Sequence, residues 1–368
     1  MGLLRFFLAF CVVNVHGQLV GTNLFPADAA VQSFYVISGF YMAMVLSEKY
    51  NRANVTYYDF FLSRVFRIVP AYFLIFSMTI LTGLIAWFGF SAQLAPFAQW
   101  GQLFNQISAS SLLALVSSQL LLFGLDAVHF FTLGQFGELV FTERFSQEPI
   151  QLWRLLMVPQ AWSLAVELYF YCLAPFIVRR SPKFLFLLIV CSFGIRLTMA
   201  VQFKDRFDPW SYRFFPSELM FFLCGSLAYR LSKVTVPTKT NWNIQVIRGM
   251  SFLIIVTAGM VGRYGLGGRS LFFSPIAIGI LFLVLPKLFG ITKNIRTDRY
   301  IGELSYPLYI SHMLVIWTAD LFLVHGSLQL RLAVCFGSIF LAVLIYELLD
   351  RRVDDFRHRL FAHEKTCV

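Results

Sequence analysis

Ten apolar stretches, each about as long as a bilayer's hydrocarbon core is thick, decide what this chain can become. They lie near residues 3–22, 31–47, 68–90, 160–178, 184–201, 214–231, 247–262, 270–289, 304–325 and 330–349. A membrane span is a helix of about 20 mainly apolar residues, because in hydrocarbon every backbone polar group must find its partner within the segment. Soluble proteins are about half apolar and a quarter charged; this chain is 58% hydrophobic and 13% charged. It reads as an all-α polytopic membrane protein with ten transmembrane helices.

An eleventh stretch, SLLALVSSQLLLFGL (Ser111 to Leu125), falls short of the ~20 residues that a perpendicular span needs. Charge decides its placement. With ten spans and the amino terminus inside, 21 of the 30 Lys and Arg residues fall on the inner side and 8 outside, the bias that the positive-inside rule describes. Counting Ser111 to Leu125 as a span would turn RRSPK and the RRVDDFRHR tail outward. It is therefore read as an interfacial or re-entrant helix near 111–125, and residues 91–159 become the largest external region. Both termini are then cytoplasmic, with one membrane domain over 1–350 and a short basic tail over 351–368.

The net charge of +11 invites a nucleic-acid reading, but the basic residues are scattered between apolar runs and form no compact basic domain. Topology accounts for them. Six cysteines without paired spacing suggest neither a disulfide framework nor a metal site.

Within the first stretch, LLRFFLAFCVVNVHGQLV, Arg5 and His16 are eleven residues apart. At ~100° per residue this is within ~20° of three full turns, so both project from one helical face with ~16 Å of rise between them. Ionisable groups in a bilayer are expensive and mark function. A signal peptide is the competing reading, with Arg5 in the n-region and Val15-His16-Gly17 at the cleavage site.

Further ionisable groups recur at span ends. In YYDFFLSRVFRIVPAYF, Arg64 and Arg67 share one face at i, i+3, where planar guanidinium forks suit phosphate oxygens or serve as a cytoplasmic anchor. In QAWSLAVELYFY, Glu167 lies five residues beyond Trp162, at a depth similar to that of His16. It would either orient that imidazole or pair with a buried cation such as Arg196. In GELSYPLYISHM, Ser305, Tyr309 and His312 fall at i, i+4 and i+7, a face fit for an oxyanion or acceptor site or for a structural histidine. Tyr306 and Pro307 shape its entrance, and Ser38-Gly39 in FYVISGFYM permits close helix approach.

Taken in order, the Arg5–His16 spacing, FYVISGF, RVFRIVPAY, WSLAVE and SYPLYISH resemble the motifs of the membrane-bound acyltransferase-3 family over nearly the whole chain. Cleavage at Gly17 would remove one motif of a consistent set, which counts against a signal peptide. The resemblance implies ten helices in a bacterial inner membrane and transfer of an acyl group, usually acetyl, from cytoplasmic acyl-coenzyme A. The acceptor would be a glycan hydroxyl, as in exopolysaccharide, O-antigen or a lipid-linked repeat unit. Many relatives carry a fused SGNH-type esterase domain; none is expected here.

The resulting expectation is specific. His16 acts as general base, Glu167 orients it, Arg5, Arg64 and Arg67 hold the coenzyme A phosphates, and the oxyanion or acceptor site draws on Trp162, Ser305, Tyr306, Tyr309 or His312. No metal is expected; the partners are the bilayer, a glycan and polysaccharide assembly machinery. A glycolipid or acyl-group transporter, and a non-catalytic member of an assembly complex, are the alternative readings.

Overall fold

The computed structural model describes residues 1–22, 24–50, 56–203, 208–234 and 273–361. It is mostly helical. Helix α1 (Gly2–Gly17) is followed by α2 (Ala27–Glu48) and α3 (Tyr57–Phe90). The intervening region carries α4 (Ala95–Leu103), α5 (Ala109–Leu121) and a short antiparallel hairpin of β1 (Phe131–Leu133) and β2 (Leu139–Phe141). Then come α6 (Trp162–Ile177), α7 (Pro182–Gln202), α8 (Phe215–Val234) and α9 (Phe273–Thr292). The chain closes with α10 (Arg296–Glu303), α11 (Ser305–Asp320), α12 (Leu328–Ile345) and α13 (Arg351–Leu360), the last two joined through one π-helical turn.

Among the described residues four helical segments are long and apolar enough to cross a membrane: 27–48, 57–90, 182–202 and 328–360. The apolar stretch 247–262 lies outside the described residues, as do the first residues of the next one and the end of the basic tail. At 13 residues, α5 is too short for a perpendicular span at 1.5 Å per residue. The first apolar stretch does not continue as helix to residue 22. Gln18 turns left-handed at φ 50° and closes α1, and the Asn14 side chain accepts from Val20 N–H and donates to Thr22 C=O. That local cap places His16 in the last helical turn.

Sequence also dictates the close packing. The Ser38-Gly39 pair lies where α2 meets α8: a Cβ on Gly39 would come within 1.9 Å of Phe222 O, and one on Gly225 within 1.8 Å of Val36 O. Only glycine permits that approach. Below this contact Arg196 of α7 donates to Glu218 of α8 at 2.8 Å, and Gln32 of α2 donates to the same carboxylate oxygen at 2.8 Å. Arg196 and Glu218 have no exposed surface. Glu167 is thus not the partner of Arg196.

Candidate active site

Two cavities divide the candidate residues. The smaller, about 110 Å³, is lined by Arg5, Arg64, Arg67, Glu167, Ser305 and Tyr306 among others. The larger, about 650 Å³, takes in His16, Trp162 and parts of the 127–162 segment. Val31 and Tyr309 border both. They form the septum between the two.

Three guanidinium groups meet at the smaller cavity because of helix periodicity. Arg64 and Arg67 share one face of α3, and Arg5 comes from the first turns of α1. Arg64 is buried, with Nη2 3.2 Å from Ser63 Oγ. One carboxylate, Glu303 at the end of α10, lies 3.8 Å from Arg5 and 3.3 Å from Arg67. Burial opposes ionisation of Glu303, yet Arg67 and Arg5 hold it below its ordinary range. Glu303 was not legible as a site residue, since it belongs to a short polar helix outside the apolar stretches.

Glu167 belongs to this cavity too, and not to His16. Ser38 Oγ donates to its Oε1 at 2.6 Å and Tyr171 OH at 2.5 Å. Here the expectation of an oriented imidazole needs correction. Glu167 and His16 line different cavities. Depth along a membrane normal is one coordinate; the direction a helix presents its side chain is another.

What meets His16 is His312. Their rings lie 5.2 Å apart, tilted by 30°. His312 is fully buried, its Nδ1 is 2.6 Å from Tyr309 C=O, and its Nε2 has no hydrogen-bond partner. A carbonyl can only accept, so Nδ1 carries the proton and Nε2 is left as an acceptor. His16 itself is exposed to the larger cavity. The face at i, i+4, i+7 on α11 is therefore divided in use. Ser305 donates to Gly302 C=O at 2.6 Å, Tyr306 to Ile68 C=O at 2.6 Å, and Tyr309 shares its hydroxyl with Ser163 at 2.7 Å.

The larger cavity has aromatic walls. Arg213 lies 4.3 Å over the Trp162 ring and is gripped in a fork by Asp208 at 2.7 and 2.9 Å. Tyr212 packs edge-on against Trp162 at 4.8 Å. His129 is buried against Phe145 at 5.0 Å. Burial first, and Arg213 second, hold the His129 imidazole well below its ordinary value of 6.5. Below that pH an unfolded chain binds a proton that the folded chain refuses, so the 126–162 region loses stability as pH falls from 6.5 and none above it. Amide exchange of 126–162 at pH 5 should run faster than at pH 7 after correction for intrinsic rates, and His129→Gln should remove the difference. Equal corrected rates in the wild type would refute this.

Comparison with known proteins bears on the whole chain. Residues 1–347 match a family described as an acyltransferase domain. A protein of Bacillus subtilis (strain 168) named "Putative peptidoglycan O-acetyltransferase YrhL" is 26% identical over 341 residues, 85% of this chain and 48% of the relative. An uncharacterised protein of Aquifex aeolicus (strain VF5) is 23% identical over 205 residues, 55% of this chain and 90% of its own length. The chain thus spans about half of the Bacillus relative and most of the Aquifex one. No solved structure matches.

Proposed function

Since the chain belongs to the acyltransferase-3 family of membrane proteins, we propose that it moves an acetyl group from cytoplasmic acetyl-coenzyme A to a hydroxyl of a bacterial envelope glycan. The observation that carries this reading is the pair of cavities, one lined by three arginines and one by His16, separated by Tyr309 and Val31. In the proposed topology both termini are cytoplasmic and ten helices span the inner membrane, so the arginines face the donor and His16 the acceptor.

Arg5, Arg64 and Arg67 would hold the phosphates, where planar multi-donor forks match phosphate oxygens. The ~16 Å of rise from Arg5 to His16 along α1 suits an extended pantetheine arm running from one cavity to the other. His16 takes the proton of the acceptor hydroxyl as that oxygen bonds to the thioester carbonyl carbon. The carbon–sulfur bond then breaks, and the departing thiolate takes the proton from His16, which restores the base. His312, its ring tilted against that of His16 at 5.2 Å, limits how the base can turn, a positioning role. Glu167, tied to Ser38 and Tyr171, shapes the wall of the donor cavity.

The test is thiol release. Purified protein in nanodiscs, given acetyl-coenzyme A and envelope glycan, should release free coenzyme A in step with acetate bound covalently to glycan. Movement of glycolipid without thiol release would indicate a carrier and overturn the proposal. Arg67→Ala should raise the Kd for coenzyme A about 10-fold or more, since a charge-assisted hydrogen bond contributes ~1.5–3 kcal/mol. Titration calorimetry in detergent reads it, and an unchanged Kd would remove Arg67 from the donor site.

A further inference from the structure

One carboxylate in the acceptor cavity is left with spare acceptors. Asp28 sits in the first turn of α2, two residues after the N-cap Pro26, and lines the cavity that holds His16. It is only 8% exposed, and no side chain donates to either of its carboxylate oxygens, which have only the amides of the first turn of α2 beside them. The other carboxylates at the two cavities are engaged: Glu167 by Ser38 and Tyr171, Asp208 by Arg213. The positive end of α2 favours an ionised group at that position. A buried anion with open lone pairs is costly unless something donates to it.

The surroundings limit what that donor can be. Arg213 is already committed to Asp208 and to the face of Trp162. Among the described residues the acidic and basic side chains lining the cavity, histidines apart, are Asp28 and Asp208 against Arg213, a balance that disfavours an anionic guest. Trp153 and Trp162 add flat apolar walls, and Gln151 and Gln160 add amides. Such a lining suits a molecule with an apolar face and an edge of hydroxyls.

We propose that Asp28 anchors the acceptor by receiving hydrogen bonds from two hydroxyls of an uncharged sugar residue, holding a third hydroxyl toward His16. This rests on the acyltransferase reading given above. It makes the acylated unit a neutral sugar and excludes a uronic acid or a phosphorylated sugar at that position. A site built to bind hydroxyls discriminates by leaving its buried acceptor unpaired when the hydroxyl is missing.

The experiment uses the full chain in nanodiscs with [14C]acetyl-coenzyme A and the cell-wall and exopolysaccharide fractions of the parent bacterium as acceptors. In the wild type, digestion of the labelled glycan should place acetate on an uncharged sugar. In Asp28→Asn, where one acceptor oxygen becomes a donor amide, the glycan concentration giving half-maximal rate should rise about 10-fold or more, while the Kd for coenzyme A stays within about two-fold. Asp28→Glu, which keeps the acceptor pair but shifts it, should fall between. Acetate on an acidic sugar overturns the proposal. So does an Asp28→Asn protein of wild-type thermal stability with unchanged half-saturation. An unstable Asp28→Asn leaves the product identity and Asp28→Glu to decide. If the wild type labels no glycan, the acyltransferase reading itself falls. If it labels glycan, His16→Ala does not and Asp28→Asn behaves as wild type, only the role of Asp28 falls.

Discussion

Replacing His16 by Ala should lower acyl transfer by about 10²- to 10⁴-fold, the range that a positioned general base contributes. A sugar hydroxyl holds its proton tightly at neutral pH, so attack on a thioester requires a base within hydrogen-bond reach. His16 is exposed to the larger cavity and contributes nothing to the wall of the smaller one, which the three arginines line. The variant should therefore enter the membrane at wild-type level and bind coenzyme A with wild-type Kd. Label transfer from [14C]acetyl-coenzyme A in nanodiscs measures the loss. Transfer within a factor of two of wild type would dismiss His16 as base.

The second large effect concerns stability. Glu218→Ala should destabilise the protein by about 3–5 kcal/mol, because removing one partner of a buried ion pair strands the other charge. Arg196 and Glu218 are both fully buried at 2.8 Å, and Gln32 donates to the same carboxylate. The network ties α2, α7 and α8 together, so its loss should also loosen α2, which carries Asp28. Replacing Arg196 and Glu218 together by Met and Leu should recover most of the stability, since a well-packed apolar pair avoids the desolvation cost. Thermal unfolding followed by size-exclusion fluorescence would show this. A fall in Tm for the double variant as large as that for Glu218→Ala would contradict it.

Much of the architecture is legible in the order of apolar stretches, because hydrocarbon leaves the backbone few options. The arginines were legible for the same reason: a charge beside an apolar run must be at an interface or in a cavity. Arg5, Arg64 and Arg67 do share one cavity. Partnerships across helices were harder to read. Glu167 was matched to His16 by depth, but Ser38 and Tyr171, both ordinary in a span, hold it elsewhere. His312, read equally as structural or functional, turns out to be the neighbour of His16. Glu303, Asp28 and Arg213 carry no periodic signal at all, since they lie at helix ends and connections, where position depends on tertiary packing.

The thin septum of Tyr309 and Val31 has a physiological side. A cell lives on the ion gradient across its inner membrane, and a continuous water-filled path through a protein would drain it. In the proposed topology the two cavities open toward opposite compartments, and the phenol of Tyr309, held by Ser163 and by Gln160 C=O, stands with Val31 between them. If the proposed transfer takes place, an acyl group would pass at a point where Tyr309 and Val31 leave no open water path.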